Sequence, residues 1–259
     1  MNDRNERDHK DRIVDQFSRQ AIPFAKVPGH LDAMQVLIEM SGVNGDDSVL
    51  DVACGPGMVA CEFARHAGKV TGIDITPAMI EQARRRQGEQ KLGNIDWAVG
   101  NAVPLPYLDS KFSLVITRYS FHHLLSPARA LAEMIRVCRP GGGVMVADVA
   151  MDRNKSEAYD RLEIMRDPSH THALTHEEFS GLFDGSGLLD CRWCAYGVDI
   201  ELEEQLRASF PNPGDESNLR DMITRDVGID NLGINARKEG RKIIYTVPIA
   251  VYVGRKIYR

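Results

Sequence analysis

Two acids, each ending an apolar run, and a glycine loop between them carry the chemistry of this sequence: Val49-Leu50-Asp51-Val52-Ala53-Cys54-Gly55-Pro56-Gly57, then Val70-Thr71-Gly72-Ile73-Asp74. A strand, a glycine turn, a helix and a second strand suit a nucleoside laid across the carboxyl ends of adjacent parallel strands. Gly55 and Gly57 place no side chain between the backbone and such a ligand. Asp74 stands where a carboxylate can accept the hydrogens of both ribose hydroxyls. Asp51 lies four residues before Gly55, at the strand end. A carboxylate there would oppose a pyrophosphate drawn to the helix N-terminus and suits a cationic amino-acid group instead.

That contrast matters because Gly55 to Ala60 also fits the dinucleotide pattern GxGxxA. Two ligands therefore fit the loop, a dinucleotide and S-adenosylmethionine, and Asp51 favours the second. Further along, Gly100-Asn101-Ala102 follows the third apolar run, and Asn101 offers a carbonyl acceptor to an adenine amine. Arg118 and Tyr119 close the fourth run at the lip of the same crevice, with His122 and His123 just beyond. Histidine titrates near neutrality, so His122, His123 and His170, the last within Arg166-Asp167-Pro168-Ser169-His170, are the candidate proton acceptors. Phe17, Phe24, Tyr119 and Phe121 could face a cation, although ordinary packing explains aromatics equally well. A purely structural role, as strand-end or capping acids, is the weaker reading for Asp51 and Asp74, whose spacing with the glycines matches a ligand site; Asp148 ends the fifth strand and can be structural.

These groups need a sheet to hold them. Apolar runs predict strands at 48–53, 69–74, 94–99, 112–118 and 143–149, with helices at 57–67, 77–87 and 127–138 between them. Such alternation implies a parallel sheet with helices on both faces. Thr76-Pro77 and Ser126-Pro127 each put a capping residue before an N1 proline. Thr175-His176-Glu177-Glu178 is a capping box opening a helix to about 185. A strand over 188–198, mixed helix over 200–228 and a last strand over 243–254 complete the chain. Pro248 argues that this last strand is an edge or is bulged. Residues 12–42 read as two amphipathic helical pieces split near Pro23 and Pro28, the second carrying Leu31, Met34, Leu37 and Ile38.

Composition narrows the function classes. The 259 residues suit one large domain, or one domain with a cap, and the net charge of −5 argues against a general nucleic-acid surface. Arg84-Arg85-Arg86, with Glu81 one turn earlier, reads as a solvated helix face, and the basic stretch from Arg237 to Arg259 as a solvated edge. No apolar run reaches membrane-spanning length, and residues 1–12 are charged, unlike a signal peptide. A cytoplasmic protein with reduced thiols is expected. The five cysteines include one CxxC, Cys191 and Cys194, without a second pair to complete a zinc site. His170, His172 and His176 are close together, yet His176 belongs to the capping turn, and no metal site is expected.

The segments VLDVACGPG, VTGIDITPAMIEQAR, GNAVPLPYLDSKFSLVITRYSFHHL and ALAEMIRVCRPGGGVMVADV span 49–149. Together they resemble class I S-adenosylmethionine-dependent methyltransferases of the group similar to the ubiquinone/menaquinone biosynthesis enzymes. QFSRQAIPF near the start resembles the N-terminal lid of that group. The resemblance implies a Rossmann-like, doubly wound α/β sheet of seven strands, mostly parallel with the last antiparallel. It implies a helical lid at 1–45 and an S-adenosylmethionine-binding domain at 46–259 with a cap insertion at about 150–228. The expected cofactor contacts are Phe17, Asp51, Ala53, Cys54, Gly55 and Gly57 on the first crossover side; Asp74, Ile75 and Met79 on the second; and Gly100, Asn101, Ala102, Arg118 and Tyr119 beyond. This chain departs from the family at Asn101 and Ser113, where aspartate is usual. Asn101 keeps the acceptor and loses the charge.

The implied activity is transfer of a methyl group to an oxygen, nitrogen or carbon of a small organic molecule, by a monomer or homodimer. Two other readings remain at this point. One is a non-transferring enzyme or binding module that uses the same cofactor on the same fold. The other is a nicotinamide-dependent oxidoreductase, because Tyr107-Leu108-Asp109-Ser110-Lys111 spells YxxxK; that motif needs a helix, and Pro104 and Pro106 precede it.

Overall fold

The computed structural model describes residues 3–24 and 33–258. Among them, the strands are β1 (Ser48–Val52), β2 (Lys69–Asp74), β3 (Ile95–Val99), β4 (Phe112–Arg118), β5 (Cys138–Val149), β6 (Leu189–Glu201), β7 (Arg237–Glu239) and β8 (Lys242–Arg255). They form one sheet in the order β3-β2-β1-β4-β5-β8-β6, with β7 paired to β8 off this path. The pairs among β1 to β5 are parallel, and β8 runs antiparallel to β5, β6 and β7. The expected mostly parallel α/β sheet with an antiparallel last strand is therefore present. One strand is additional to the seven expected, the three-residue β7.

Strand order reverses direction at β1, which lies between β2 and β4. Crossovers leave this point in opposite senses, so a crevice opens beyond the carboxyl ends of β1 and β4. The pleat explains the two faces. Val49 packs with Phe63, Val70 and Ile116 on one side, and its neighbour Leu50 packs with Val115, Leu131 and Val146 on the other. A third cluster joins Val149, Leu162, Ile223, Ile234 and Ile249 beneath the segment that follows β5.

The first helices are α1 (Asp3–Phe24) and α2 (Met34–Ser41), followed by α3 (Met58–Phe63), α4 (Pro77–Glu89) and α5 (Pro127–Val137). After β5 come α6 (Ser156–Arg166) and α7 (His176–Asp184), and after β6 come α8 (Leu202–Ala208) and α9 (Asp215–Asp226). The capping box at Thr175 is present with both reciprocal bonds. Thr76 and Ser126 do occupy N-cap positions before their prolines, but neither side chain makes a capping bond. The Thr76 N–H instead donates to Asp74 Oδ1 at 2.8 Å, so the strand-end acid does the local ordering.

Three expectations need correction. The N-terminal helix starts at Asp3, not near residue 12, and continues through Pro23, while Pro28 and Leu31 lie outside the described residues. The helix expected over 57–67 ends at Phe63. Most important, β8 is an interior strand rather than an edge. The Pro248 carbonyl accepts from the Ala150 N–H at 3.1 Å, so its absent N–H belongs to the β5 side, where the β5 ladder has already ended at Val149–Ile249. No ladder bond is lost.

Candidate active site

The loop after β1 turns through three left-handed residues, Ala53 (φ 55°), Gly55 (φ 52°) and Gly57 (φ 77°). The two glycines differ. A Cβ on Gly57 would lie 2.7 Å from Trp97 and 2.9 Å from the Ala83 methyl, so Gly57 lets α3 and α4 close over β3. A Cβ on Gly55 would meet nothing within 4 Å, because Gly55 faces open space. Asp74 ties this loop to β2: the Gly55 N–H donates to its Oδ2 at 2.8 Å while Thr76 holds Oδ1. Burial raises the Asp74 pKa, and these two N–H groups work against the rise. Each Asp74 oxygen keeps acceptor capacity for a diol.

The open space is a cavity of about 1340 Å³, including its open mouth. Ala53, Cys54, Gly55, Asp74, Ile75 and Met79 form its floor and one wall. Gly100, Asn101 and Ala102 line the far side, with Phe17, Arg118 and Tyr119 opposite. Asn101 is folded on itself: its Oδ1 accepts from the Val103 N–H at 3.3 Å, and its amide nitrogen donates to the Val103 carbonyl. One lone pair of Oδ1 stays available. The side chain of Phe24 lies outside the described residues, and Phe121 is fully buried in the core.

Two expected contacts are not on the cavity wall. Gly57 packs behind the loop, as described, and Asp51 lies beneath it, 1% exposed, with Oδ2 lacking a hydrogen-bond partner. Burial drives the Asp51 pKa up to about 8; repulsion from Asp74 adds to this, while the Ala60 backbone and Arg118 oppose it. Strand pairing explains the placement. Asp51 sits between Gly72 and Ile116 one residue before the strand ends, so its side chain points into the layer under the loop. Its orphaned oxygen fits a cationic group reaching the loop from above more readily than a phosphate.

A second chamber, about 660 Å³ with its mouth, adjoins the first. The two share Phe17, Tyr119 and His123. His122 faces the second chamber, with Nδ1 2.5 Å from Asp148 Oδ1 at the end of β5. Burial pulls the His122 pKa down, but the Asp148 carboxylate outweighs it and the net direction is up. Asp148 also accepts from the Phe121 N–H, which fixes the turn Phe121–His123 against the strand end. His123 behaves oppositely. Burial, followed by the neighbouring His122 charge, lowers its pKa to about 3, so it is a neutral ring at the junction.

His170 does not join this group on either wall. Its Nε2 is 2.7 Å from Asp160 Oδ1 and the ring is buried behind the chamber, against Tyr159 and the two other histidines. It is a packing and bridging residue, because the turn after Asp167 aims it toward α6 rather than the opening. The YxxxK residues lie in a turn, not a helix; Lys111 Nζ sits 4.6 Å over the Tyr107 ring and Tyr107 packs on Phe112. That arrangement places neither group at the cavity. Among the described residues no cluster of three or more His, Cys, Asp or Glu is arranged to hold a metal, and no helix is long and apolar enough to cross a membrane.

Several lining groups were not singled out in the sequence. Tyr159, Glu163 and Tyr245 converge on the second chamber from α6 and β8, beside Gln20 of the expected lid segment and Arg166 of the run that leads to His170. For Glu163 the one signal was its i, i+3 spacing to Arg166, which ordinarily marks a surface pair.

Residues 49–142 match the family described as a methyltransferase domain. The chain is 27% identical to a Bacillus subtilis protein named as the uncharacterized methyltransferase YcgJ, over 66% of this chain and 70% of that one. The crystal structure of YcgJ superposes with a TM-score of 0.78 at 22% identity, covering 89% of this chain and all 100% of that one. The ubiquinone/menaquinone biosynthesis C-methyltransferase UbiE of Pseudomonas entomophila is 32% identical over 55% of this chain, which spans only 58% of that enzyme. The cyclase SpnF shares the fold, with a TM-score of 0.61 at 20% identity over 87% of this chain and 81% of that one. The matched segment holds the glycine loop, Asp74 and the switch point between β1 and β4, so residues 49–142 form a methyltransferase domain whose cofactor is S-adenosylmethionine.

Proposed function

We propose that the chain transfers the methyl group of S-adenosylmethionine to a small organic molecule seated in the second chamber. One observation carries this reading: two cavities, one built on the glycine loop and one containing the His122–Asp148 pair, meet at Phe17, Tyr119 and His123. The cofactor supplies a sulfonium methyl whose carbon–sulfur electron pair stays with sulfur as the acceptor bonds to carbon.

The protein's own groups divide the remaining work. Asp74 accepts the ribose hydroxyls, Gly55 gives the backbone room, and Asn101 meets the adenine edge. Asp51 acts through the loop on the cationic end, and Arg118 and Tyr119 shape the junction. Met79, Ile75, Ala53, Cys54, Gly100 and Ala102 complete the apolar cradle. His122 takes the acceptor's proton on Nε2, because Nδ1 is held by Asp148. His123, neutral, packs edge-on to Phe17 at 5.0 Å and helps exclude water. Residues 1–45 serve as a lid over the 46–259 domain, whose cap occupies about 150–228. Two contacts support the lid: the His9 ring is 2.7 Å from the His123 carbonyl, and the Gln20 amide donates to Asp167 at 3.2 Å.

The test is a thermal shift with S-adenosylmethionine, S-adenosylhomocysteine and nicotinamide dinucleotides. A ligand at about 100 times its Kd adds roughly 2.7 kcal/mol of stability. Only the first two should stabilise, and Asp74→Ala should largely remove the shift. Stabilisation by the dinucleotides alone would end the assignment. Labelled methyl appearing in an acceptor separates transfer from a second reading, a non-transferring enzyme or binding module, which the self-bonded Asn101 favours.

A further inference from the structure

We propose that the second chamber takes an acceptor free of anionic groups, with an apolar body and a hydroxyl- or carbonyl-bearing edge, that the hydroxyls of Tyr159 and Tyr245 grip that edge, and that acceptors carrying a carboxylate or phosphate are refused. This rests on the methyl-transfer reading above and goes beyond it by naming the acceptor's chemistry.

Two walls carry the inference. One is apolar: Val149, Val198, Ile200, Val247 and Ile249 come from the upper ends of β5, β6 and β8. The other holds Tyr159 and Tyr245, whose residues are 3% and 2% exposed. Both line the chamber, and neither hydroxyl is among the fully buried unpaired polar atoms, so each oxygen opens onto the chamber. A phenol hydroxyl that faces a cavity and is not spent on a described protein group is a donor and acceptor available to whatever enters.

Charge selects against anions. Among the described residues on this wall Arg166 is the only Lys or Arg, and it is spent: Nε donates to Glu163 Oε1 at 2.9 Å and Oε2 at 3.0 Å, and Nη2 donates to Oε2 at 2.5 Å. Asp167 faces the same space, already accepting from Ser169 and Gln20. Asp148 stands behind His122. An entering carboxylate would therefore meet three carboxylates against one committed guanidinium and one imidazole, after losing its hydration. A neutral molecule with one polar edge meets no such opposition, and that edge lies on the wall that also carries His122 Nε2.

The experiment uses the full chain saturated with S-adenosylhomocysteine. That binding is measured first; its absence would overturn the methyl-transfer reading itself. The loaded protein is then titrated calorimetrically with 2-naphthol and 2-naphthoate. The neutral probe should bind at least about 10-fold more tightly than the anionic one. Tyr159→Phe and Tyr245→Phe should each weaken 2-naphthol roughly 5- to 30-fold, the loss of one buried hydrogen bond, while leaving S-adenosylhomocysteine affinity unchanged. Glu163→Gln, which releases the Arg166 charge, should narrow the gap between 2-naphthoate and 2-naphthol. Equal or tighter binding of 2-naphthoate to the unmodified chain overturns the proposal. So does indifference to both phenylalanine substitutions, or failure of both probes to bind a protein that holds S-adenosylhomocysteine.

Discussion

Replacing Asp51 by asparagine probes the electrostatics beneath the glycine loop. The residue is 1% exposed, one carboxylate oxygen has no partner, and its pKa rises from 3.8 to about 8. Burial is the main cause, and Asp74 adds repulsion. Between those two values the folded chain holds a proton that the unfolded chain releases. Stability must therefore fall as pH rises through that window, by about 1.4 kcal/mol per pH unit. From about pH 5 to pH 8 the loss from this one group is on the order of 4 kcal/mol. Asparagine has nearly the same shape and does not titrate. The stability of the Asp51→Asn variant minus that of the unmodified chain should grow with pH at that slope and level off above the folded pKa. Urea unfolding of both proteins at about pH 5, 6.5 and 8 measures it directly. A difference that stays constant across these pH values would mean that Asp51 ionises normally and that the loop floor is wetter than the structure has it.

Two further outcomes follow from the site. With His122 as base, the rate should rise with pH through a pKa above the ordinary histidine value, because the Asp148 carboxylate outweighs the burial that lowers it. Asp148→Asn should move this limb of the pH profile toward acid, and His122→Ala should lower kcat by roughly 100-fold or more; an unmoved limb removes His122 from the reaction. The two loop glycines should separate by assay. Gly57→Ala, forced against Trp97 and Ala83, should destabilise the fold by about 2 kcal/mol or more. Gly55→Ala has space in the protein alone, so it should cost about 1 kcal/mol of stability for its left-handed backbone and act mainly by raising the cofactor Kd in isothermal titration.

How much of this was legible in the sequence depended on range. The cofactor half lies within one continuous stretch, where a strand, a turn and the next strand are fixed by local pattern. Ile75, Gly100 and Arg118 fell on the cavity because each sits at or just past a strand end and strand ends share one rim, and Met79 joins them from the first turn of α4. Asp51 shows the limit even there. Its position in the chain was correct, but which layer a strand-end side chain enters is set by pairing with Gly72 and Ile116, which spacing alone does not reveal. The second chamber draws on α1, α6 and β8, separated by long stretches of chain. His170 was drawn to the site by its neighbours in sequence, yet the turn after Asp167 gives it to Asp160. Tyr245 gave no signal, because a tyrosine in an alternating strand reads as ordinary core. Pro248 misled for a related reason: a proline excludes an interior strand only where its missing N–H would have to join a ladder, and on that side the β5 ladder has already ended at Ile249.

Strain points to the junction between the two chambers. Tyr119 follows the last residue of β4 with φ at 57°, a left-handed conformation that costs a residue with a Cβ roughly 1–2 kcal/mol. Its surroundings hold it there: the N–H donates to the Ala147 carbonyl at 2.8 Å, the Arg118 guanidinium lies 4.2 Å over the ring and donates to the hydroxyl, and Tyr196 meets that hydroxyl at 3.0 Å. An extended residue at 119 would continue β4 and carry its side chain along the sheet. The left-handed turn instead places the tyrosine on the walls of both cavities at once. Backbone strain persists where the surroundings over-determine it, and such places concentrate at sites of function. Here the strained residue stands where the two cavities meet, so under the proposed function the same turn that ends the strand would also set the distance between donor and acceptor.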